Sequence, residues 1–137
     1  MPIQWTPDLA LGIPELDGQH LQIDAHLRLL HDPICEGRVP DVAAVLQGLR
    51  GATARHFEAE ERLMAVRGYP GLDGHRAEHR SFAERLAAFD ASCRRDGATT
   101  PLAMEIGNWL AAWLRDHQRH DLELRRYAAP DGAVGGG

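Results

Sequence analysis

The sequence predicts an all-α fold, an up-down-up-down antiparallel four-helix bundle with an extended N-terminal arm. Three observations predict it. Four segments carry apolar residues at mixed spacings of three and four, the connections between them are short and rich in Gly and Pro, and no stretch alternates with the period of two that marks a strand. With 137 residues and 44% apolar content, the chain suits one domain with one buried core. The bundle is expected over residues 17–128, between an arm at 1–16 and a flexible tail at 129–137.

The arm holds Pro2, Pro7 and Pro14 among Trp5, Leu9, Leu11 and Ile13, too broken for a helix and too apolar for a free end. Asp17 is the expected cap of a first helix whose inner positions are Leu16, Ile23, Leu27, Leu30 and Ile34, and Pro33 is expected to end or kink it. The second helix starts at Pro40 and Asp41, a proline in the first turn with an acid near the positive helix end. Its inner face runs from Val42, Val45, Leu46 and Leu49 through Ala52 to His56, Glu60, Leu63 and Met64, and Gly68-Tyr69-Pro70-Gly71 turns the chain. A third helix begins near Asp73 and presents His75, His79, Phe82, Leu86, Phe89 and Cys93. Thr100 caps the fourth, which carries Leu102, Ile106, Trp109, Leu110, Trp113, Leu114, His117, Asp121 and Leu124 to about Tyr127.

Charge and composition exclude several functions. The net charge is −5 and the basic residues are scattered, so a phosphate backbone is a poor partner. Apolar runs such as 109–114 are far too short to span a membrane, and the first residues lack the pattern of a secretory signal, so a cytoplasmic protein is expected, as a monomer with an oligomer as the alternative. Cys35 and Cys93 lie far apart and form no Cys-x-x-Cys unit, which gives neither a disulfide scaffold nor a thiolate site. All basic residues are Arg, in keeping with a bacterial gene of high GC content.

The histidines carry the chemistry. His56 with Glu60 and His75 with His79 are pairs four apart, about 40° around a helix axis, so each pair points one way. In an up-down bundle the start of helix one, the end of helix two, the start of helix three and the end of helix four share one end. His20, His56, Glu60, His75, His79, His117 and Asp121 therefore meet in one layer. Five imidazoles and two carboxylates suit iron, manganese or zinc, and they are too many for one ion. Two carboxylate bridges, five imidazoles and a shared oxo or hydroxo group fill eleven of the twelve positions of two six-coordinate ions, leaving one open. No Ser or Cys stands beside the histidines as a nucleophile, and Ile23, Leu63, Trp113 and Leu114 would surround the opening. A small apolar guest such as dioxygen fits that setting better than a charged substrate.

These segments resemble the hemerythrins, in particular the single-domain bacterial kind. The match lies in Asp17-Gly-Gln-His20, His56-Phe57-x-x-Glu60-Glu61 with Met64, His75-x-x-x-His79, and Trp113-Leu114-x-x-His117 followed by an acid. The resemblance implies a non-haem di-iron centre bridged by an oxygen atom and two carboxylates, with dioxygen bound reversibly at one iron. It gives His20, His56, Glu60, His75, His79, His117 and Asp121 the ligand roles, with Glu60 and Asp121 bridging. It also implies that Trp113 and Leu114 line the gas pocket and that Trp5 packs over it. The alternatives are a di-iron oxidoreductase consuming peroxide or nitric oxide, and an iron or oxygen sensing module.

One departure stands out. Most relatives place the bridging aspartate five residues after the last histidine, whereas Asp121 follows His117 by four. A spacing of five swings the side chain about 140° and a spacing of four about 40°. Asp116 and Glu123 are the candidate substitutes, and His120 is a candidate extra ligand. Glu58, Glu61 and Glu78 are read as solvated groups or as outer partners of the ligating imidazoles.

Overall fold

The computed structural model describes residues 12–124. Four helices follow one another: α1 (Pro14–Cys35), α2 (Val42–Arg67), α3 (Leu72–Asp96) and α4 (Thr100–Asp121), with a short 3₁₀ turn at Leu122–Leu124. No strand occurs among the described residues, and the four-helix bundle is as the sequence predicts. Among them no helix is long and apolar enough to cross a membrane. Trp5, most of the proposed arm, Tyr127 and the proposed tail lie outside the described residues.

The helix ends follow local chemistry, with three corrections. The first helix begins at Pro14 rather than Asp17, so residues 14–16 belong to the bundle. Proline fixes φ for the first helical turn and has no N–H to leave unpaired, which makes it a stronger start than an acid three residues on. Asp17 sits inside the first turn, where its carboxylate accepts a hydrogen bond from the Gly12 N–H at 3.2 Å. Nor does Pro33 end the helix. It falls in the last turn, where a single missing bond is tolerated, and its own carbonyl accepts from the Arg38 N–H at 2.8 Å. In α2, Pro40 lies just outside, and Asp41 is the cap, accepting from the Ala44 N–H at 3.2 Å. Gly68 closes α2 at φ +67, a left-handed conformation that glycine takes without strain. Thr99, not Thr100, caps α4, accepting from the Leu102 N–H at 3.2 Å.

Two apolar clusters fill the bundle. The larger holds Ile23, Leu27, Leu30, Leu46, Leu49, Phe82, Leu86, Ile106, Leu110 and Leu114, all buried. The smaller holds Leu16, Ala59, Met64 and Leu124, with Leu63, Tyr69 and Leu72 packed against it. Between α3 and α4 the filling is aromatic: Phe82 lies 4.9 Å from Trp109 and 4.4 Å from Trp113 between ring centres. On every helix the residues between the two clusters are polar and buried: His20 on α1, His56 and Glu60 on α2, His75 and His79 on α3, His117 and Asp121 on α4. Apolar packing above and below thus seals a polar layer from water. Burying so many polar atoms is costly unless each finds a partner.

Candidate metal centre

Pairs four apart on α2, α3 and α4 turn their side chains inward together, and His20 meets them from α1. Their donor atoms gather into two groups. One is His20, His56, Glu60, His117 and Asp121; the other is Glu60, His75 and His79. Within each group one donor atom per residue lies within 4.8 Å of all the others. Glu60 belongs to both and uses a different oxygen for each. Its Oε2 is 2.9 Å from His56 Nε2 and 3.3 Å from His117 Nε2, while its Oε1 is 3.2 Å from His79 Nε2. Asp121 Oδ2 lies 2.9 Å from His117 Nε2 and 3.1 Å from His20 Nε2. The four-residue spacing therefore brings Asp121 into the layer. Asp116 and His120 are exposed, and so is Glu123, whose Oε1 accepts from the Tyr69 hydroxyl at 3.0 Å.

The tautomers decide what these short distances mean. His79 Nδ1–H donates to Glu61 Oε2 at 2.7 Å, and His56 Nδ1–H donates to Gln19 Oε1 at 2.9 Å. In its neutral form each ring then turns its Nε2 lone pair toward an oxygen of Glu60, that of His56 lying also 3.3 Å from His117 Nε2. Neither Glu60 oxygen nor His79 Nε2 is in a hydrogen bond, although all are buried. Lone pairs facing each other at about 3 Å repel, and a cation between them turns the repulsion into coordination. Two ligands bonded at roughly 2.1 Å and about 90° apart on one ion are themselves about 3 Å apart. The donor set, its spacing and its orphaned buried atoms all fit a metal.

Two stacked rings hold the imidazoles of His79 and His117 in place. Phe57 lies 3.8 Å from the His79 ring at an interplanar angle of 6°, and Trp113 lies 4.4 Å from the His117 ring at 15°. Of the residues predicted to surround the opening, Ile23, Trp113 and Leu114 border the layer in the larger cluster, whereas Leu63 joins the smaller cluster beside Met64. Gln19 was not foreseen from the sequence. It stands immediately before His20, and that adjacency to a candidate ligand is the signal that could have revealed it.

Without metal, opposite charges within the layer hold one another in their ionised forms. For Glu60, burial works to raise the carboxyl pKa, but the charge of His117 overrides it and holds the group well below 4.5. Asp121 is raised by burial and by the like charge of Glu60, yet the His117 charge leaves it below 3.8. His117, disfavoured as a cation by burial, is carried well above 6.5 by the charges of Asp121 and Glu60. Burial also works against His20, which its bond to Asp121 raises above 6.5.

These directions fix a pH profile for the metal-free chain. Depressed carboxyls stabilise the fold above their unfolded values and stop doing so as pH falls through the folded ones; raised imidazoles stabilise below 6.5 and stop as pH rises through their folded values. The contribution is complete between pH 4.5 and 6.5 and declines on both sides. Metal binding requires neutral imidazoles, so it competes with protons and gains as pH rises. Thermal unfolding with and without chelator should therefore show a gap in melting temperature that widens from about pH 6 to pH 8. A gap that narrows over that range would contradict these assignments.

Four antiparallel helices around a sealed layer of imidazoles and carboxylates define a helical-bundle cation-binding protein. A family model described as the hemerythrin HHE cation binding domain matches residues 11–127. The chain belongs to the hemerythrin family. It is 32% identical over 117 residues to the bacteriohemerythrin of Pseudomonas paraeruginosa, covering 85% of this chain and 74% of that one. A bacteriohemerythrin of Clostridium acetobutylicum is 23% identical, covering 82% of this chain and 90% of the relative. The myohemerythrin of Theromyzon tessulatum is 25% identical, covering 85% and 84%.

Proposed function

We propose that the chain holds two iron ions in this layer and binds dioxygen reversibly, as a carrier, store or donor of oxygen rather than an enzyme. The observation that carries the reading is Glu60, whose two oxygens face two separate groups of imidazoles. His20, His56, His117 and Asp121 would serve one ion with Glu60, and His75 and His79 the other, with Asp121 and Glu60 as the carboxylates available to both. Iron held there would supply the reversible redox chemistry that dioxygen binding needs. The protein's own part is to fix the imidazoles by Gln19, Glu61 and the stacked rings, and to keep bulk water out with Ile23, Trp113 and Leu114. Excluding water limits the supply of protons to the layer and leaves an apolar setting that suits a small neutral guest. The reading also takes the protein as a cytoplasmic monomer whose partner is dioxygen. Its net charge of −5 is unsuited to nucleic acid.

The test is metal content with the visible spectrum. Purified protein should hold about two irons per chain and develop charge-transfer bands in dioxygen that vanish when the gas is removed. Irreversible oxidation without an oxygen-dependent spectrum would sink the proposal, and sustained turnover of peroxide or nitric oxide with an electron donor would replace it by the oxidoreductase reading.

A further inference from the structure

We infer that Glu61 is a positioning residue that makes the two halves of the centre unequal, by holding His79 with a charged acceptor where His56 has only a neutral one. This rests on the two-ion reading. Glu61 lies on α2 one residue beyond Glu60, so it points about 100° away from the inward direction, toward α3. There its Oε2 accepts from His79 Nδ1–H at 2.7 Å, while its Oε1 lies 3.5 Å from Arg76 Nε. The arginine occupies the other oxygen and limits the carboxylate's freedom to turn away. The His79 ring is thus restrained at its edge by Glu61 and on its face by Phe57.

No other imidazole in the layer is held this way. His56 donates to the amide oxygen of Gln19 at 2.9 Å, and among the described residues the Nδ1 atoms of His20, His75 and His117 have no hydrogen-bond partner. A bond to a carboxylate is shorter and roughly twice as strong as one to a neutral amide, and it pushes electron density onto the far ring nitrogen. His79 is therefore the strongest imidazole donor of the five. The ion that it shares with His75 and Glu60 is held more tightly and favours its higher oxidation state.

Zinc titration of the metal-free protein against a competing chelator tests this without oxygen chemistry. Glu61→Ala should weaken one of the two zinc ions by about 10–100-fold and leave the other unchanged, the loss typical of an outer partner. Glu61→Gln keeps an acceptor but not the charge and should recover part of that loss. Gln19→Ala should weaken the other ion, and less. In iron-loaded protein, Glu61→Gln should shift the reduction potential upward, a change that a merely structural role does not produce. Unchanged zinc affinities in Glu61→Ala overturn the inference, as does equal weakening of both ions accompanied by a lower melting temperature of the metal-free chain. A wild-type chain that takes up only one zinc overturns the two-ion reading itself. Two ions in the wild type with no effect of Glu61 overturns the inference alone.

Discussion

Replacing Glu60 with alanine is expected to reduce metal content from two ions per chain to one at most and to abolish any oxygen-dependent spectrum. Glu60 is the one residue common to both donor groups among the described residues, and it offers a different oxygen to each. No neighbouring acid can replace it, because Glu58 and Glu61 lie on other sides of α2, exposed and committed to His79 respectively. The effect on stability is large in the same direction. Metal at 1,000 times its dissociation constant adds about 4 kcal/mol to the folded state. For a domain of this size, at roughly 3–5 °C per kcal/mol, that corresponds to a melting temperature about 10–20 °C higher with metal than with chelator. In Glu60→Ala most of that difference should disappear. The metal-free variant loses the attraction between Glu60 and His117 but also the repulsion between Glu60 and Asp121, and with both apolar clusters untouched it should still fold. Elemental analysis and thermal unfolding with and without chelator check both expectations; two ions retained per chain would show that Glu60 does not link the groups.

Much of this site was legible in the sequence because a helix has one period. The pairs His56 with Glu60, His75 with His79 and His117 with Asp121 share a direction wherever a helix forms, and alternating helix polarity puts them at one depth with His20. The apolar stripes gave the bundle by the same arithmetic. What the period does not specify is which residues touch across helices. Gln19 and Glu61 each stand beside a ligand in sequence but serve a ring on another helix, and that depends on how the helices are rotated against each other. Leu63 illustrates the same point: it follows Glu60 by a helical turn and so falls past the polar layer, with Met64 rather than with Leu114. Helix starts were the other weakness. Pro14 and Asp17 are both good starting signals, and only the path of the chain decides between them.

Removing the Asp121 carboxylate should cost as much metal binding as removing Glu60, while the same change at Asp116 or Glu123 should cost nothing measurable. The fourth helix offers three acids near His117, at positions 116, 121 and 123, for one candidate role. Among the three acids, position favours Asp121: it is the last residue of α4, fully buried, and the chain tightens into a 3₁₀ turn directly after it. The regular helix thus persists just long enough to carry His117 and Asp121 on one side, with 2.9 Å between His117 Nε2 and Asp121 Oδ2. Asp116 is exposed, and Glu123, also exposed, is engaged by Tyr69. Asp121 differs from Glu60 in using one oxygen, Oδ2, for both His20 and His117, while its Oδ1 has no hydrogen-bond partner. That free oxygen is what a second ion would need. Asp121→Ala should therefore lower the affinity for at least one ion by more than the roughly 100-fold upper range for loss of an outer partner. Asp121→Asn, which keeps the shape but loses the charge and one acceptor oxygen, should restore little of it. Metal titrations of Asp121→Ala, Asp116→Ala and Glu123→Ala under one set of conditions discriminate, and a Glu123→Ala chain that loses an ion while Asp121→Ala keeps two would transfer the role to the later acid.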